Sequence, residues 1–153
     1  MNLKNIQHGA VAGIAGGVVF GIMMGMMGML TLIGQMVGFP NPLAGFAVHL
    51  MISAFIGGIF AAAVQDRVTG IPAGLGYGAA YGALWWLIGP LTLMPLMMGM
   101  GLGANWNGAA VVGMLPSLMG HVIYGLILGA AYARLTRQAG TIASSVRPAA
   151  GRA

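Results

Sequence analysis

Two histidines hold most of the chemistry this sequence can offer. His49 stands in the series Gly45, His49, Ser53, Gly57, Ala61, and His121 in the series Ser117, His121, Gly125, Gly129, Ala133. Four-residue steps keep side chains on one helical face, so each imidazole heads a stripe of small residues. A neutral imidazole presents one N–H and one lone pair. Two of them at matched positions could ligate the iron of a haem b from opposite sides, with Trp85 and Trp86 bordering the macrocycle. Small neighbours at Ser53 and Gly125 would leave room beside a porphyrin. The plainer role for both rings is a hydrogen bond to a backbone carbonyl, or to Thr31 or Thr92, that ties helices together.

Methionine supplies the second set of candidate ligands. Every methionine other than Met1 falls within residues 23–51 or 94–119. Met23, Met26 and Met27 share a helical face, as do Met94, Met97 and Met98. Thioethers beside imidazoles suit Cu(I), which prefers soft ligands. As flexible apolar side chains they equally suit a core.

The missing residue types exclude more than the present ones suggest. There is no cysteine, which removes disulfides, thiolate nucleophiles and cysteine-held zinc or iron–sulfur clusters. Asp66 is the only acidic side chain, so paired-carboxylate catalysis and acid-based proton relays are impossible. No serine or cysteine catalytic constellation is recognisable, and the chain reads as non-enzymatic. Asp66-Arg67 reads as a helix-end pair and His8 as a solvated side chain near a helix start.

The elements that must position the histidines follow from composition. The chain has 153 residues, is 59% hydrophobic and only 5% charged, against about 25% in soluble domains. No charged residue occurs between Asn5 and Gln65 or between Val68 and Ala133. Spans across a bilayer need about 20 apolar residues each, and four such stretches are present, near 9–33, 43–64, 73–98 and 116–135. Phe39-Pro40-Asn41-Pro42 and Thr69-Gly70-Ile71-Pro72 form turns between them. Pro90 and Pro95 predict a kink or break in the third span. Gly108 to Leu115 predicts a short interfacial or re-entrant helix, and Trp106 an interfacial anchor.

The halves repeat. Gly13, Gly17, Gly21, Gly28 and Leu30-Thr31-Leu32 recur as Gly74, Gly78, Gly82, Gly89 and Leu91-Thr92-Leu93, at an offset of 61. His49, Gly57 and Ala61 recur as His121, Gly129 and Ala133, at an offset of 72. Each half is an αα-hairpin, about 9–65 and 73–135, and both enter the membrane in the same sense. A parallel repeat predicts a pseudo-two-fold axis along the membrane normal, with the two histidines at equal depth and facing one another. The stripes Gly13, Gly17, Gly21, Gly57, Gly74, Gly78, Gly82, Gly125 and Gly129 are predicted helix-packing positions, since small residues let backbones approach in lipid.

Lys4, Arg67, Arg134 and Arg137 fall on one side of such a bundle, and the loops of the other side are uncharged. The basic excess therefore marks membrane orientation rather than nucleic-acid binding, and it places both termini in the cytoplasm. The runs Gly89-Pro90-Leu91-Thr92-Leu93-Met94-Pro95-Leu96 and Leu115-Pro116-Ser117-Leu118-Met119-Gly120-His121-Val122-Ile123-Tyr124-Gly125 resemble those of small four-helix bacterial inner-membrane proteins. That resemblance covers most of the chain through residue 135. It implies a fold and a location, and it carries no activity or site residue.

The expectation is an all-α, four-transmembrane-helix bundle of two tandem hairpins over residues 1–137, with a flexible basic tail at 138–153, in a bacterial or archaeal inner membrane. Its partners are the lipid bilayer and other membrane subunits or copies of itself. Three functions are open: an accessory subunit of a larger membrane complex, a haem b or copper protein using His49 and His121, and a small transporter or channel.

Overall fold

The computed structural model describes the backbone of residues 2–146 and the side chains of residues 2–139. Among the described residues every regular element is helical. α1 (Leu3–Met26) starts at Asn2, whose side chain accepts from the Lys4 N–H at 3.0 Å. It stops at Gly28, which takes a left-handed conformation (φ 71°) while the Met29 N–H reaches back to the Met24 carbonyl at 2.9 Å. The expected first span is therefore broken. A short α2 (Leu30–Gln35) follows at a new angle.

α3 (Pro42–Val64) has Asn41 as its cap and Pro42 at its first position. α4 (Ile71–Ile88) runs into a π-helical turn, Gly89–Leu93, and then α5 (Met94–Met97). This is the irregularity that Pro90 and Pro95 predict. Neither ring can donate to the helical ladder, and the wider turn is closed by the Met94 N–H on the Gly89 carbonyl. The Thr92 hydroxyl takes up the Leu87 carbonyl at 2.7 Å and Asn105 Nδ2 takes up the Pro90 carbonyl at 3.2 Å. α6 (Gly108–Gly113) is short, and α7 (Leu115–Val146) is long. α7 extends into the region expected to be a tail: residues 138–146 continue the helix, and 147–153 lie outside the described residues.

Leu3–Met26, Pro42–Val64, Ile71–Met97 and Leu115–Ala139 are long and apolar enough to cross a membrane. α1 packs between α3 and α7, α4 packs on α7, and α2 packs on α3. The α1–α3 and α4–α7 seams are backbone to backbone. A Cβ on Gly13 would strike the Ser53 carbonyl, and one on Gly78 would strike the Gly125 carbonyl. Side chains of α4 and α3 bridge the two helices: the Tyr81 hydroxyl donates to the Ile56 carbonyl at 2.8 Å, and the Phe60 ring packs tilted against Tyr81. Phe60, Leu128 and Tyr132 fill the end of the bundle nearest Arg67 and Arg134. The other end, which carries α2 and α5, is not filled.

Candidate functional site

The unfilled end contains a cavity of about 210 Å³ between α1, α2, α3, the α4–α5 segment and α7. Ile52 of α3 and Leu93 and Met97 of the α4–α5 segment are exposed at its margin. His49 and His121, 72 residues apart in sequence, both line it.

Each imidazole is held by one nitrogen. His49 Nε2 lies 3.0 Å from the Gly17 carbonyl of α1 and must donate to it, since a carbonyl only accepts. His121 Nδ1 lies 2.8 Å from the carbonyl of Ser117 one turn earlier and donates there, with the Ser117 hydroxyl 3.4 Å away. The neutral rings therefore adopt opposite tautomers. Nδ1 of His49 and Nε2 of His121 keep their lone pairs and make no hydrogen bond among the described residues. A Cβ at Gly89 would sit 4.0 Å from His121 Nε2, which places that nitrogen on the cavity side of the π turn.

Phe20 of α1 packs its ring against both in T-shaped contacts, with centroids 5.4 Å from His49 and 4.7 Å from His121. A haem held by Nε2 of both rings does not fit the residues present: His49 Nε2 is engaged by Gly17, and the cavity is smaller than the roughly 300–1,000 Å³ of organic-ligand pockets. Of the two tryptophans, Trp85 lines the cavity, whereas Trp86 is buried with Nε1 donating to the Met114 carbonyl at 3.1 Å. Neither Thr31 nor Thr92 bonds to a histidine; the Thr92 oxygen accepts from Trp106 Nε1 at 3.1 Å, folding the long loop back on the π turn.

The thioethers at the cavity are Met24, Met29, Met36, Met94 and Met97. Met26 and Met27, singled out by helical spacing, point away, and Met26 is 85% exposed. Met29 and Met36 lie beyond the left-handed Gly28 and line the cavity from the segment that follows it.

The helix-packing glycines behave as a set. Gly13, Gly17 and Gly21 of α1 abut Ser53, Gly57, Phe46 and His49 of α3. Gly74, Gly78 and Gly82 of α4 abut Gly129, Gly125 and His121 of α7. Sequence reasoning missed Phe20 and Tyr124, whose hydroxyl donates to the Ser53 carbonyl at 2.9 Å and ties α7 to α3. One signal for Phe20 exists. The 72-residue offset pairs Val48 with Gly120, and the absent side chain at Gly120 is what admits the Phe20 ring.

The fold and cavity define a class: a helical protein with four helices apolar enough to cross a membrane and an apolar cleft at one end of the bundle. No protein-family model, curated protein or solved structure matches the chain.

Proposed function

We propose that this chain is a multi-pass inner-membrane accessory protein, not a catalyst, that holds a small ligand in its cleft on behalf of a larger membrane assembly. The single observation that carries this is the convergence of His49 and His121 on one cavity, each braced by one ring nitrogen and each keeping a bare lone pair. Histidines inside a membrane bundle mark functional sites by default.

The duplicated sequence supports two tandem copies of one hairpin as the origin of the pair. The two glycine seams support it too, since α1 on α3 and α4 on α7 use corresponding positions. Lys4, Arg67 and Arg134 flank the same ends of the spans, which supports cytoplasmic termini and an outward-placed cleft. A transport path has less support, because Phe60, Leu128 and Tyr132 plug the end opposite the cleft.

The test compares the wild type with Gly89→Leu, which fills the cleft against His121 Nε2 without touching either seam. Native mass spectrometry and elemental analysis of protein purified from its own membranes should show a mass beyond the polypeptide for the wild type only. A wild type of bare polypeptide mass, or the same extra mass on Gly89→Leu, would overturn the reading.

A further inference from the structure

Resting on the cleft reading above, we infer that the ligand is a soft monovalent metal ion, Cu(I), held by thioethers and by the bare nitrogens of His49 and His121. The wall chemistry points that way. Five methionines and two imidazole lone pairs line one space of about 210 Å³, and all are Lewis bases. Two of the wall's donors are engaged: Ser53 donates to the His49 carbonyl at 2.7 Å and Tyr124 donates to the Ser53 carbonyl. Trp85 Nε1 is buried with no hydrogen-bond partner among the described residues, and the Ser117 hydroxyl stands beside His121 Nδ1. The wall carries no cationic side chain, so it offers an anion no neutralising charge.

The wall contains no carboxylate, so a hard divalent cation would find neither its oxygen ligands nor neutralising charge. Thioether and neutral imidazole are what Cu(I) selects, and an ion fits a space too small for most organic ligands. The bundle also provides an approach. A second space of about 250 Å³, lined by Leu32, Gln35, Met36, Met97 and Met98, abuts the cleft and shares Met36 and Met97 with it. An ion arriving at the α2–α5 end thus meets thioethers first and imidazoles last.

The experiment uses the full chain in detergent micelles. Ag(I) serves as a redox-inert probe, and Cu(I) is presented in competition with a Cu(I)-specific chelator. One saturable ion per chain is expected, with sulfur and nitrogen in the first coordination sphere by X-ray absorption. Leucine keeps the volume and apolarity of methionine and removes only the sulfur. The triple variant Met24→Leu, Met29→Leu, Met94→Leu and the single variant His121→Phe should each weaken binding at least tenfold. Met51→Leu with Met119→Leu, on exposed methionines outside the cleft, should leave it unchanged. No saturable binding, or equal affinity across these variants, would overturn the assignment. An organic mass on the native protein together with absent Ag(I) binding would also overturn it, while leaving the cleft reading standing.

Discussion

Phe20 reaches His121, at 4.7 Å between ring centroids, across a position where α7 has no side chain: a Cβ on Gly120 would run into the Phe20 ring. One aromatic from α1 thus packs against both imidazoles. Phe20→Ala should cost about 3–5 kcal/mol, the usual range for emptying a core phenylalanine. Unfolding in mixed micelles measures it. A loss below about 1 kcal/mol would show that Phe20 does not hold the pair.

The same geometry predicts that haemin titrated into the purified protein gives no bis-histidine spectrum. The expected outcome is an unshifted Soret band in the wild type and in His49→Ala alike. A red-shifted band abolished by His49→Ala would mean that the Gly17 hydrogen bond yields to the cofactor.

The backbone seams predict a sharp contrast among glycines. Gly78→Leu drives its side chain into the Gly125 carbonyl and should destabilise the bundle by at least the roughly 1–3 kcal/mol typical of overpacking. Gly76, on the same helix, has nothing within 4 Å of an added Cβ. Gly76→Ala should be neutral or mildly stabilising, because alanine is the better helix former. Thermal scans of the two variants side by side decide it, and equal losses would refute the seam.

Tyr81 and Tyr124 both donate to carbonyls of α3, from α4 and α7 respectively. Tyr81→Phe and Tyr124→Phe should each cost about 0.6 kcal/mol, the average for hydrogen bonds between membrane helices. They act on carbonyls three residues apart on one helix, close enough to couple, so the double variant should depart from simple addition. An additive cycle would show that the two contacts act independently.

The absence of native cysteine makes topology simple to read. Leu102→Cys, in the exposed loop before α6, should react with an impermeant maleimide in intact cells. Arg67→Cys, in the exposed turn after α3, should react only after permeabilisation. The reverse pattern would invert the proposed orientation.

The parts of this molecule that were legible in the sequence are those written in a fixed period. The glycine seams follow a strict four-residue step, and that step has one structural meaning on a helix. His49 and His121 head small-residue stripes of the same step, and both line the one cleft. What escaped depended on departures from period. The helical wheel that grouped Met23, Met26 and Met27 says which residues share a face, not which face meets a neighbour, and it does not follow the chain past the left-handed Gly28 to Met29 and Met36. The tautomers escaped because they depend on which carbonyl lies nearest. Gly17 serves His49 from a neighbouring helix, whereas Ser117 serves His121 from its own. Phe20 was hidden because a phenylalanine in an apolar span carries no mark of its own.

The π-helical turn at Gly89–Leu93 sets the angular phase of everything beyond it. One residue corresponds to about 100° of rotation on an α-helix. Trimming a single residue from that turn would let the same Met94 N–H close on the same Gly89 carbonyl in ordinary α fashion, so Met94 and Met97 would keep their bearing toward the imidazoles. The turn thus absorbs one extra residue without turning the thioether wall aside, and only a deletion in the regular helix beside it would act as a rotation.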